Sequence, residues 1–110
     1  MIASFVHEGR VIDFIPGADV LPGDVLVIGD LVGVSLRGLV AGELGSLSIA
    51  GVFDFPKAVG GGSGIAMGTK VYWDAAAKQA TATAGANKYL GKTTKAAVDA
   101  DTTVRAKLLP

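Results

Sequence analysis

An all-β, single-domain fold is what this sequence predicts, and three observations carry that reading. Half of the 110 residues are hydrophobic but only 6% are aromatic, so the apolar mass is Val, Leu, Ile and Ala. Sixteen glycines cut that mass into short runs, which is the spacing of strands and turns and leaves room for short helical turns at most. The run Pro22-Gly23-Asp24-Val25-Leu26-Val27-Ile28-Gly29-Asp30-Leu31-Val32-Gly33-Val34 shows the style. Two β-branched segments flank Gly29-Asp30, a pair able to adopt the positive φ of a tight hairpin turn. At this length the chain supports one modest core and not two.

The elements follow in order. Ser4-Phe5-Val6-His7-Glu8 and Val11-Ile12-Asp13-Phe14-Ile15 read as an opening pair of strands around Gly9-Arg10. Pro16-Gly17-Ala18-Asp19 closes the pair, with proline presetting φ and glycine relieving the next position. After the central hairpin, Arg37-Gly38 and Ala41-Gly42-Glu43 frame a connection to the strand Leu44-Gly45-Ser46-Leu47-Ser48-Ile49. Val52-Phe53-Asp54-Phe55 is the next strand, and Pro56 is expected to stop it. Residues 59–68 hold Gly60-Gly61-Gly62-Ser63-Gly64 and are expected to form a flexible loop inside the one domain. Lys70-Val71-Tyr72-Trp73-Asp74 resumes as a strand. Residues 75–80 are open to a helical turn and residues 81–85 to an edge strand or a loop. The end, Thr102-Thr103-Val104-Arg105-Ala106-Lys107-Leu108, alternates with period two and reads as a strand with one solvated face.

A fixed offset of 58 residues (89 − 31) lays residues 31–43 on residues 89–101. It pairs Gly33 with Gly91, Ser35 with Thr93, Arg37 with Lys95, Val40 with Val98 and Glu43 with Asp101. The echo reads either as two related β-motifs or as a small vocabulary of Gly, Ala and Val recurring.

Charge and composition exclude several classes of function. Net charge is zero, which argues against a general binder of nucleic acid or anionic membranes. The charges are segregated, however: residues 1–55 hold two basic and seven acidic groups, and residues 56–110 hold eight and three. Complementary surfaces within one fold, or opposite patches meeting across subunits, both fit that split. Cysteine is absent, which removes disulfides and thiolate chemistry. No window approaches the roughly 18 apolar residues of a membrane span. The start Met1-Ile2-Ala3-Ser4-Phe5 lacks the basic region of a signal peptide, so neither export nor anchoring is expected.

The segment nearest to a catalytic motif is Gly85-Ala86-Asn87-Lys88-Tyr89-Leu90-Gly91-Lys92-Thr93, which mimics the phosphate loop G-x-x-x-x-G-K-[ST] with one residue too many. That loop needs a buried strand before it and a helix N-terminus after it, and neither is expected here. The lone His7 builds neither a histidine metal cluster nor a triad. Asp13, Asp19, Asp24, Asp30 and Asp54 lack calcium-loop spacing, and three of them sit beside turn residues where aspartate caps backbone groups. Tyr72 and Trp73 alternate across a strand, so one of them belongs to the core. No catalytic, cofactor-binding or metal-binding residue is assigned.

Taken in order, several segments resemble the small capsid cement, or decoration, proteins of tailed phages and prophages. They are Phe5-Val6-His7-Glu8-Gly9-Arg10-Val11-Ile12-Asp13-Phe14, Pro16-Gly17-Ala18-Asp19-Val20, Gly51-Val52-Phe53-Asp54-Phe55-Pro56-Lys57, Gly68-Thr69-Lys70-Val71-Tyr72-Trp73-Asp74 and Thr103-Val104-Arg105. The succession carries the likeness, which runs over nearly the whole chain. It implies a β-sandwich or jelly-roll-like barrel that self-associates and binds the outside of the assembled head, bridging subunits of the major capsid protein. It implies no enzyme activity, no cofactor and no nucleic-acid, membrane or small-molecule partner. It places the protein on the virion, and in the host cytoplasm before assembly. Some relatives carry the label of RecA-type recombinases, which the overlong phosphate-loop segment and the small size do not fit. A nucleotide-dependent recombination factor and a small β module binding a ligand or peptide are the alternatives.

Overall fold

The computed structural model describes residues 2–4 and 9–109, so His7 and most of the first expected strand lie outside the described residues. Nine strands and no helix are found among them: β1 (Val11–Phe14), β2 (Val25–Ile28), β3 (Leu31–Val34), β4 (Gly45–Ser48), β5 (Gly51–Pro56), β6 (Lys70–Asp74), β7 (Gln79–Thr81), β8 (Lys88–Thr93) and β9 (Thr103–Leu108). They form two antiparallel sheets, ordered β1-β4-β3-β2 and β5-β9-β8-β6-β7. The all-β expectation holds.

The central hairpin forms as its sequence dictates. Ile28 pairs with Leu31 across a two-residue turn, and Gly29 alone takes positive φ (+61°). Glycine at the first turn position is the II′ arrangement, whose twist matches that of the strands.

Two expectations need correction. Pro56 does not stop a strand but forms its last residue, paired with Thr103. β5 lies at the margin of its sheet, where a missing N–H costs little. Residues 75–80 form no helix: the Asp74 carboxylate accepts the amides of Ala76 and Ala77, both at 3.1 Å, and folds the chain into a tight turn. Lys78 completes that turn at φ +54° and the chain returns as β7.

The two halves share one plan. Four strands in the order first, fourth, third, second make a Greek key in each, β1-β4-β3-β2 and β5-β9-β8-β6. Their connections carry the same hydrogen bonds. Val20 and Leu39 exchange two backbone bonds (2.9 and 2.8 Å), as do Ile65 and Ala97 (2.8 and 2.8 Å). The Gly23 amide donates to the Ser35 carbonyl and the Ser35 amide to that of Asp24; Gly68, Thr93 and Thr69 repeat the set. Gly23 and Gly68 even share a left-handed φ, +86° and +80°. Leu39 and Ala97, like Ser35 and Thr93, stand 58 residues apart (97 − 39 and 93 − 35). The sequence echo therefore marks a structural repeat and not a recurring vocabulary.

The halves differ in closure. β7, which has no counterpart in the first half, bridges to Lys57 just beyond β5 through Ala80. That bridge curls the second sheet toward a barrel. The buried Lys57 amine reinforces the seam by donating to the carbonyls of Ala58 (2.7 Å) and Asp101 (2.8 Å). Inside lie Phe55, Val71, Trp73, Ala80, Leu90, Val104, Ala106 and Leu108, joined by Val32 and Val34 from β3. Through those two valines the sheets share one core.

Candidate functional site

The residues singled out for chemistry turn out to serve the backbone. The phosphate-loop mimic ends in β8, where Thr93 donates its amide to the Thr69 carbonyl and its hydroxyl to that of Ala66 (2.7 Å). A cradle needs free amides converging at a helix N-terminus. Here Thr93 and Thr94 spend theirs on carbonyls of Thr69 and Arg105. Within the Gly-rich segment, Asp99 gathers the amides of Gly60 (3.0 Å, to its carbonyl) and Gly64 (2.7 Å, to its carboxylate). Asp19 caps the Ala41 amide and Asp24 that of Leu21. Among the described residues no three His, Cys, Asp or Glu side chains gather as a metal site.

Two carboxylates engage cations. Asp30, at the tip of the central hairpin, accepts from Lys88 of β8 at 2.7 Å, so part of the charge split closes within one molecule. That bond holds the Asp30 carboxyl below its ordinary range. Asp54 takes two bonds from Arg105 (2.9 and 3.2 Å), and they lower its carboxyl in the same way and raise the guanidinium.

The remaining chemistry is a row of lysines. Antiparallel register sets Lys70 of β6 opposite Lys92 of β8, and Lys92 opposite Lys107 of β9. All three are exposed on the outer face of the second sheet. Among the described residues none of them has a carboxylate within ion-pair distance. Directly opposed like charges in a sheet cost stability, on the order of 0.2–1 kcal/mol per pair. Beside the row, Tyr72 and Tyr89 stack edge to face at 5.8 Å, while Trp73 is the aromatic that enters the core. Val52, opposite Lys107 on β5, extends the face with an exposed apolar side chain.

Lys88, Lys92 and Lys95 lie close together in the sequence, but the structure disperses them: Lys88 is bound to Asp30, and only Lys92 belongs to the row. The available signal was alternation, which puts Lys107 on the solvated face of its strand. Assembling the row also required the pairing of β6, β8 and β9.

No curated protein and no solved structure matches the chain. The model of one family does, over residues 6–108, nearly the full length and the span of the strand and turn succession described above. By that match the chain belongs to the phage cement protein family.

Proposed function

We propose that this protein is a non-enzymatic structural component of the phage virion. It self-associates and clamps the outer surface of the assembled head, bridging subunits of the major capsid protein. The host cytoplasm holds it only before assembly. The observation that carries the reading is the in-register row Lys70, Lys92 and Lys107. An uncompensated row on a nearly closed sheet is a rigid cationic surface, and an acidic surface laid on it offsets the repulsion. Membership of the phage cement protein family supports the capsid as the source of that surface, and the reading takes its outside as the face bound. Contacts that are modest per copy accumulate when many copies engage a repeating lattice.

The test is co-sedimentation with heads that lack this protein. Wild-type chain is expected to bind saturably, at a copy number set by the lattice, with affinity falling steeply as salt rises. Lys70→Glu, Lys92→Glu and Lys107→Glu introduced together are expected to abolish binding. A single reversal, Lys92→Glu, places opposite charges at the centre of the row, so its melting temperature is expected to equal or exceed that of the parent. Absence of the protein from purified virions, or undiminished binding by the triple variant, would sink the reading.

A further inference from the structure

The second half shows what belongs on the outer edge of its β6. There β7 pairs Thr81 with Tyr72, Ala80 with Trp73 and Gln79 with Asp74. Among the described residues the equivalent strand of the first half, β2, has no such neighbour, because Gly29-Asp30 joins it directly to β3 while residues 75–87 leave β6 and return. In a two-residue hairpin the residues flanking the turn exchange both hydrogen bonds, and the pattern then alternates. Ile28 and Leu26 therefore bond to β3, as does Asp24, whose carbonyl accepts the Ser35 amide at 2.9 Å. Val25 and Val27 turn their N–H and C=O groups outward, and among the described residues nothing outside the β2–β3 ladder bonds to them. Consecutive residues of β2 line one wall of a groove there, with Pro56, Trp73 and Lys78 on the other.

We propose that the β2 edge is a seam between two copies of this chain, in which β2 pairs antiparallel with β2 of the partner about a two-fold axis at Leu26. The proposal rests on the self-association in the function proposed above and names its interface. Self-complementarity is the argument for this occupant. Val25 and Val27 stand symmetrically about Leu26, so Val25 meets the partner's Val27 and Val27 meets the partner's Val25. Each pair exchanges two N–H···O bonds, and every outward donor is satisfied. The same register sets Asp24 opposite the partner's Ile28, so no like charges face each other. Val27 and Ile28, each 38% exposed, become covered. The result is one continuous sheet built from the first halves of two copies, with the lysine rows left free for another surface.

Sedimentation equilibrium and amide exchange by NMR on the full chain, up to about 1 mM where even weak seams populate, test this. The expected result is a mass rising from monomer to dimer, with exchange at Val25 and Val27 slowing together with it. Leu26 and Ile28, already bonded to β3, are expected to be protected throughout. Val27→Pro deletes one outward N–H at an edge where proline is tolerated, and is expected to weaken dimerisation about tenfold or more. Val27→Lys, which keeps the backbone intact and charges the edge, is expected to do the same should proline unfold the hairpin. A monomer whose Val25 and Val27 amides exchange freely, a trimer, or a dimer that neither variant weakens overturns the seam. Protection that appears only on heads assigns the edge to a capsid segment and also overturns it, while leaving head binding intact. A dimer with this seam that fails to bind heads sustains it and sinks the capsid reading instead.

Discussion

The two halves of the chain have the same strand order and the same connecting hydrogen bonds, yet one closes and the other stays open. Among the described residues, ten of the fifteen buried hydrophobic side chains belong to the second half, while nine of the thirteen exposed large hydrophobics belong to the first. One added strand accounts for much of that asymmetry. β7 covers the edge of β6 and bridges back to Lys57, so the second sheet encloses its side chains. In the first half Leu47 is fully buried against Gly33, whereas Val11, Ile15 and Leu44 remain exposed. The same topology thus buries a core in one copy of the motif and leaves apolar side chains exposed in the other.

The largest test of that contrast lies at equivalent glycines. A Cβ on Gly91 would come 1.8 Å from the carbonyl oxygen of Lys107, a backbone atom held in the β8–β9 ladder. On Gly33 it would meet Cδ2 and Cγ of the buried Leu47 at 2.5 Å and the Ser48 carbonyl oxygen at 3.1 Å, so its hardest clash is with a side chain and not with the backbone. Gly91→Ala is therefore expected to lose about 3 kcal/mol or more, and Gly33→Ala about 1–2 kcal/mol, in urea unfolding. Equal losses would mean that the two halves are equally rigid.

Closure itself is tested next. Lys57 and Ile15 follow the last residues of the first strand of each motif, but Lys57 is buried and bonded to two carbonyls while Ile15 is exposed. Lys57→Ala strands those carbonyls and is expected to cost about 1–3 kcal/mol. Ile15→Ala is expected to cost under about 0.5 kcal/mol. Thermal unfolding of both variants at one pH decides it. An Ile15 variant as damaging as the Lys57 variant would show the first half to be closed as well.

What could be read in advance follows from the range of the interactions involved. The hairpin at Gly29-Asp30 and the alternation of β9 depend on neighbours within a few residues, and both were legible. The repeat was visible as an offset but undecided, because Gly, Ala and Val recur throughout the chain; the paired bonds of Leu39 and Ala97 decide it. Pro56 was misread because proline disrupts a central strand, and nothing local says that β5 lies at a margin. Residues 75–80 have helix-forming composition, and the Asp74 carboxylate overrides it by capturing two amides. The lysine row was illegible for a similar reason, since its members stand on three strands far apart in sequence.

The smallest effect concerns one ladder position that the two halves use in opposite ways. Ile12 pairs with Leu47 in the first sheet, and Asp54 pairs with Arg105 at the corresponding place in the second. The first pair is apolar with Leu47 buried, and the second is an ion pair with both side chains about half exposed. Solvent screens such a pair, so Asp54→Asn is expected to cost at most about 1 kcal/mol at pH 7. The hydrogen bonds from Arg105 lower the Asp54 carboxyl in the folded state, with burial opposing them. A lowered folded value contributes stability that is fully present above the unfolded value, near 3.9, and is lost as pH falls through the folded one. The gap between parent and Asp54→Asn in thermal unfolding should therefore hold from pH 7 to about pH 5 and close below about pH 4. A gap that persists unchanged at pH 2 would show that Asp54 acts through packing or backbone contacts, and that the exposed face of the closed half is more constrained than its ion pair implies.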